Sequence, residues 1–247
     1  MDDNRYAIDL SISFLKGNWA LSLGVIAVLI FFNLLSLIPM IGILFMFGYS
    51  VLLTSFQIYV AKASLKVRDT QDMESIAQNS DIKSLFSENI EVAFGATLGL
   101  FTISFILITI FTIVFSFTPT FALMQKSPFY IFAPDPVTII VLLVFLLISM
   151  WFGYVYPAVA GEVYLSKNFK GAFTKNFLIF HPTIWEKSIN KEYFKLIAIW
   201  SLIVFFIALL FAIMFQKIIL IPVALIGWYW MSIYSAIVYM NARKKLD

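Results

Sequence analysis

Long stretches without a charged residue alternate with short charged segments along the chain. Residues 17–61 contain no Asp, Glu, Lys or Arg. One helix crossing a bilayer takes about 20 residues, so this stretch is too long for one, and Pro39 and Gly42 punctuate its middle. The pattern predicts two helices, 19–37 and 41–61, joined by a tight turn. Residues 92–125 are also free of charge and predict a span over 92–117. Pro119, Pro128, Pro134 and Pro136 then mark a loop. Charge-free stretches at 136–161, 196–216 and 218–242 predict three further spans. The N-terminus opens on Asp2 and Asp3, and the apolar run extends well past the 7–15 residues, roughly, of a signal peptide's apolar region, so the first helix is expected to be retained.

Composition agrees with this pattern. The 247 residues are 62% hydrophobic and 13% charged, against about 25% charged in soluble proteins. A polytopic, all-α membrane protein of six spans is therefore expected, built as one domain over residues 1–247. The absence of cysteine excludes disulfides, thiolate metal sites and a cysteine nucleophile. The single histidine, His181, excludes a bis-histidine haem within the chain.

Charge distribution sets the expected orientation. With both termini inside, the inner segments hold 15 of the 17 basic residues, in the N-terminus, loops 62–91 and 162–195, and the tail Arg243–Lys245. Only Lys126 and Lys217 fall outside. By the positive-inside rule this predicts cytoplasmic termini in a cell (inner) membrane. Basic residues spread in this way give no sign of nucleic-acid binding.

Shorter patterns lie between the spans. Over residues 5–16, Arg5, Asp9, Ser13 and Lys16 fall on one stripe at helical spacing, with Tyr6, Ile8, Leu10, Phe14 and Leu15 around the rest. This predicts a helix along the inner membrane surface, or an extension of the first span. Residues 82–90 read IKSLFSENI and residues 169–177 read FKGAFTKNF. Lys83 matches Lys170, Phe86 matches Phe173 and Asn89 matches Asn176, each 87 residues apart. Asp81 and Asn168 stand before them as helix caps. Both segments are amphipathic and sit in inner loops, so an internal parallel repeat is expected, with units 41–117 and 138–216. Phe86, Phe173, Phe177 and Phe180 would enter the acyl region, while Lys83, Lys170 and Lys175 would meet headgroups.

Gly48-Tyr49 after the Pro-turn hairpin, then SDIKSLFSENIEVAFG, NFKGAFTKNF and NKEYFKL follow in a characteristic order. In this order the chain resembles an uncharacterised (domain-of-unknown-function) family of bacterial and archaeal multi-pass membrane proteins. It is distantly similar to the membrane domain attached to some glycerophosphodiester phosphodiesterases. The resemblance covers most of the chain and implies no catalytic residues.

Candidate chemistry is sparse. No ionisable residue lies in the middle of a span, which counts against ion-coupled transport. Glu162, at an inner helix end, is expected to meet Lys167. Asn33 and Gln57 are the strongest amides within spans, expected to bond across the first hairpin or to orient a ligand. Trp228, Tyr229 and Trp230 sit about ten residues into the last span, as an aromatic packing cluster or a pocket lining for an apolar molecule. Thr102, Thr109 and Thr112 can return their hydroxyls to their own backbone. Gly95 and Gly99, like Ala208 and Ala212, allow close helix approach, within the chain or in a homodimer. Asp69, Asp72 and Glu74 lack the spacing of a calcium loop and are expected in a solvated, mobile loop. Metalloprotease, nucleophile-elbow and nucleotide-loop motifs are absent.

The expected function is non-enzymatic, without cofactor, metal or catalytic residues: organisation of lipids or partner proteins at the cytoplasmic leaflet. The expected partners are membrane lipids, with a partner membrane protein or a second copy as the protein candidates. The alternative is a permease-like subunit passing a neutral or apolar solute between the repeat halves. The first reading requires a packed centre. The alternative requires a central cavity near Asn33, Gln57 or Trp228.

Overall fold

A computed structural model describes residues 3–39, 41–124, 134–214 and 221–247. Lys126, Lys217 and Pro128, and the boundary between the fifth and sixth expected spans, lie outside the described residues. Every regular element among the described residues is helical. That suits so apolar a chain, because in lipid each backbone N–H and C=O must find its partner within a helix or a closed barrel.

In chain order the helices are α1 (Asp3–Gly17), α2 (Trp19–Leu35), α3 (Gly42–Ser64), α4 (Thr70–Gln78), α5 (Ile82–Ser87) and α6 (Ile90–Ser116). They continue as α7 (Pro119–Met124), α8 (Pro136–Tyr164), α9 (Phe169–Lys175), α10 (Pro182–Ser188), α11 (Lys191–Met214) and α12 (Ile221–Lys244). A 3₁₀ segment, Asn176–Phe180, extends α9. Five helices (α3, α6, α8, α11 and α12) are long and apolar enough to cross a membrane. A sixth crossing requires α1 and α2 to count as one bent span, with 95° between them. That angle rules out α1 as a straight extension of the first span. The 17 residues of α2 reach about 25 Å at 1.5 Å per residue.

Local chemistry sets these boundaries. Asn18 starts α2 by accepting from the Leu21 N–H at 2.9 Å. At the α2–α3 turn a Cβ on Gly42 would lie 2.1 Å from the Ser36 carbonyl oxygen, so the tight return needs glycine there. Asp81 and Asn168 cap α5 and α9, as expected, by accepting from Ser84 and Gly171. The acidic run expected in a mobile loop instead starts a helix. Asp69 caps α4 through the N–H groups of Gln71 and Asp72, where negative charge also favours the helix dipole. The proline-marked loop likewise contains α7, which begins at Pro119, and ends in Asp135 and Pro136 at the start of α8.

Burial is concentrated at one end of the molecule. The buried residues of α2 lie between Leu21 and Leu29, those of α3 from Val51 onward apart from Gly42, and those of α6 between Val92 and Ile103. In α8 they cluster from Val155 to Tyr164 apart from Thr138, in α11 from Tyr193 to Ile197, and in α12 from Tyr229 to Ala242 apart from Ala224. This is the end that carries the basic loops and both termini. Asp3 pairs with Lys245 at 2.8 Å, and the Asn241 amide donates to the Asp3 carbonyl. Toward the far end the long helices present large apolar side chains outward, among them Phe105, Leu147, Phe205 and Ile213.

Candidate functional site

The residues singled out from sequence fall into separate places. Asn33 and Trp228 share a recess of about 450 Å³ between α2, α3 and α12, with Tyr49 stacked 6.1 Å from Trp228. Gln57 is elsewhere. Its Oε1 accepts from the Tyr164 hydroxyl at 2.8 Å, so it joins α3 to α8 and not to α2. Trp230 stacks on Tyr234 at 5.5 Å, with its indole N–H buried and, among the described residues, without a partner. Tyr229 stacks on Phe56 at 5.2 Å. Asn33, Gln57, Trp228 and Trp230 therefore do not form one cluster. Adjacent residues on α12 point to different neighbours because each step turns the helix by about 100°.

The paired segments also part company. Lys83 and Lys170 are exposed, while Phe173 and Phe177 are half-buried. Phe86 is only 8% exposed, so its ring enters the protein and not the acyl region. The cause is the docking of α5 on α3, where the Ser55 hydroxyl donates to the Phe86 carbonyl at 2.7 Å. The second segment docks on α6. A Cβ on Gly95 would lie 2.3 Å from the Phe169 carbonyl oxygen, and one on Gly99 would lie 2.5 Å from the Asn176 amide nitrogen. The G-x-x-x-G face is thus occupied within the chain. The matched asparagines differ as well. Asn89 accepts from Lys62 at 2.7 Å, whereas buried Asn176 donates to the Ala96 carbonyl at 3.2 Å.

Glu162 meets two cations, neither of them Lys167. Arg243 approaches at 2.7 Å and Lys175 at 3.2 Å, and Lys175 also donates to the Glu162 carbonyl. Gly161 permits this by letting α12 approach α8, since a Cβ there would lie 2.4 Å from the Tyr239 carbonyl oxygen. His181 caps α10, its Nδ1 accepting from the Thr183 N–H at 3.3 Å. Thr102 and Thr112 return their hydroxyls to the Leu98 and Ile108 carbonyls. The hydrogen bond to Asp3 raises the Lys245 pKa, so the tie between the termini holds below the ordinary lysine range and is lost only as pH rises through the raised value.

Two features had no counterpart in the sequence reading. One is a small cavity of about 100 Å³ between α3, α6 and α8, with Thr54, Thr97, Tyr156, Tyr164 and Asn176 in its lining. The other is Asp135 at the far end. Its carboxylate accepts from the backbone and hydroxyl of Thr120, from the Val137 N–H, and from the backbone and hydroxyl of Thr138. The Thr120 hydroxyl, followed by the Thr138 hydroxyl, holds its pKa well below the ordinary carboxylate range. A D-P-x-T sequence at a helix start is a legible cap, but its link to Thr120 required the fold.

No protein-family model, curated protein or solved structure matches this chain. The resemblance drawn from sequence thus rests on its short motifs alone. Among the described residues, no group of three or more His, Asp or Glu side chains is placed to hold a metal ion.

Proposed function

We propose that the chain is a six-span, multi-pass protein of a bacterial inner membrane with both termini in the cytoplasm. In this reading it organises lipids, or a partner membrane protein, at the cytoplasmic leaflet and performs no chemistry of its own. The supporting observation is the polarised build. Six apolar helices are locked together at the end carrying the basic loops, and that end exposes Lys83, Lys170, Lys187 and Lys191. Anionic headgroups are attracted to such a surface by about 1 kcal/mol per basic residue. The polar groups that would serve catalysis are already engaged, Glu162 by two cations and His181 as a cap.

The permease reading draws on the cavity between α3, α6 and α8. Its volume of about 100 Å³ is below the roughly 300–1,000 Å³ of ordinary ligand sites. The recess of about 450 Å³ at Asn33 and Trp228 is within that range, but it is lined by α2, α3 and α12 and not by both repeat halves, so the packed-centre reading is favoured. Two measurements on the full chain test the choice. Extraction from its own membrane in mild detergent, followed by native mass spectrometry, is expected to retain lipid or a second protein in fixed ratio. Loss of every lipid and protein, combined with glycerol flux through proteoliposomes above that of empty vesicles, would overturn the reading in favour of passage.

A further inference from the structure

Two open apolar trenches share one stretch of α8. The first, about 590 Å³, runs between α8 and α11. The second, about 580 Å³, runs between α6, α8 and α10. Leu147 and Trp151 line both. From Leu147 to Tyr154 the first trench follows α8 for eight residues, about 10 Å along the helix, and its lining includes Asn190 and Lys191. Among the described residues, Lys191 is the only charged one in either lining, and it is exposed. Glu186 and Glu192, close in sequence, line neither trench.

The shared stretch is held in place from several sides. Trp151 packs edge-on to Trp185 at 6.1 Å and against Tyr154 at 5.5 Å. Trp185 donates its indole N–H to the Ile179 carbonyl at 2.6 Å, and the Tyr154 hydroxyl donates to the Ser188 carbonyl at 2.7 Å. Tyr193, fully buried, donates to the Tyr154 carbonyl at 2.7 Å. The polar atoms of these supporting rings are therefore committed to the protein. Trp151 differs, because among the described residues its indole N–H meets no acceptor. The arrangement is two apolar channels that share Trp151, a ring whose donor is uncommitted, and a cation in the lining of one.

We infer that a membrane glycerophospholipid binds astride Trp151, with one acyl chain in each trench, an ester carbonyl on the indole N–H and the phosphate on Lys191. A diacyl lipid has matching parts: two apolar chains, acceptors at their junction, and an anion just beyond. A single-chain amphiphile fills one trench only, and diacylglycerol leaves Lys191 unused. The leaflet it comes from rests on the proposed orientation, whereas the site itself rests on the shared stretch and its two trenches.

The test is native mass spectrometry of the delipidated full chain, titrated with dioleoyl phosphatidylglycerol, diacylglycerol and lysophosphatidylglycerol. The diacyl phospholipid is expected to bind one copy tightly. Lys191→Gln, or removal of the phosphate, should each weaken binding about tenfold, as for loss of a hydrogen bond to a charged group. Trp151→Phe keeps the ring and removes the N–H, and should weaken binding about threefold to tenfold. Equal binding of phosphatidylglycerol by the wild type, Lys191→Gln and Trp151→Phe would overturn the inference, as would equal binding of the one-chain and two-chain lipids. Failure of the membrane orientation is read separately, by side-specific labelling, and leaves these detergent titrations as they stand.

Discussion

Gly95 lies so close to α9 that any side chain there must displace backbone, since its Cβ would stand 2.3 Å from the Phe169 carbonyl oxygen. Gly153, on α8, has nothing within 4 Å of its own Cβ position. Alanine should act oppositely at the two sites. Gly95→Ala is expected to cost about 1–3 kcal/mol by overpacking, and Gly153→Ala to gain up to about 1 kcal/mol from helix propensity. Thermal unfolding in one detergent checks both, and equal shifts would refute the close-approach role. Asp135 gives a pH signature. Its folded pKa is depressed from the ordinary 3.8, so its contribution is complete above that value and is lost as pH falls toward the folded one. Wild type should unfold at higher temperature than Asp135→Asn at neutral pH, and the gap should narrow below about pH 4. A gap independent of pH would show that the carboxylate charge is not what joins α7 to α8. At this scale the sequence disclosed which residues mattered more readily than whom they met. The spacing of Gly95 and Gly99 announced a close approach, but not that α9 would fill it. Glu162 was expected beside Lys167, its neighbour in sequence, yet the reversal of α9 brings Lys175 and the end of α12 brings Arg243.

The long helices were legible because lipid imposes a simple demand, about 20 residues without charge, and the observed bounds differ from the expected ones by a few residues at most positions. The short helices in the basic loops were less so. At six to nine residues for α4, α5, α9 and α10, they are too brief for hydrophobic periodicity to identify alone; α5 and α9 show through their matched amphipathic segments and their caps, whereas α4 and α10 fall where loop is expected. α1 shows the consequence. It was read as a surface helix facing lipid, or as part of the first span. In the fold its Ala7, Leu10 and Phe14 are buried within the protein, and it packs on α4 and α12. Asn4 fixes its start by donating to the Leu196 carbonyl and accepting from the Tyr234 hydroxyl. On the other side, Met73 and Ala77 of α4 are fully buried. Deletion of residues 1–17 should therefore bare these side chains and make the segment 62–91 sensitive to protease, while the remaining helices still insert. Unchanged protection of that segment would mean that α4 does not depend on α1.

Burial concentrated at one end of the apolar helices makes the whole molecule asymmetric in stability. Phe56, fully buried between Phe14 and Tyr229, should cost about 3–5 kcal/mol on truncation to alanine. Phe205, 62% exposed toward the far end, should change stability by less than about 0.5 kcal/mol. The same asymmetry bears on the number of crossings. Five separate helices pass the length requirement, and a sixth crossing depends on α2. Five crossings would put the termini on opposite sides. Yet Asp3 touches Lys245, and the Asn190 amide reaches the Lys245 carbonyl, so the two termini and the loop before α11 share one end. From that end α2 must travel to the far side for α3 to return. The chain has no cysteine, so each introduced thiol is unique and a membrane-impermeant maleimide can read its side. Arg5→Cys, Lys83→Cys, Lys187→Cys and Asp247→Cys should label only in inverted vesicles. Phe117→Cys, at the far end of α6 and 83% exposed, should label in intact cells. Labelling of Arg5→Cys from the same side as Phe117→Cys would remove the crossing by α2. The contact between Asp3 and Lys245 could not then exist in the membrane, because residues joined at 2.8 Å cannot lie on opposite faces of a hydrocarbon layer about 30 Å thick.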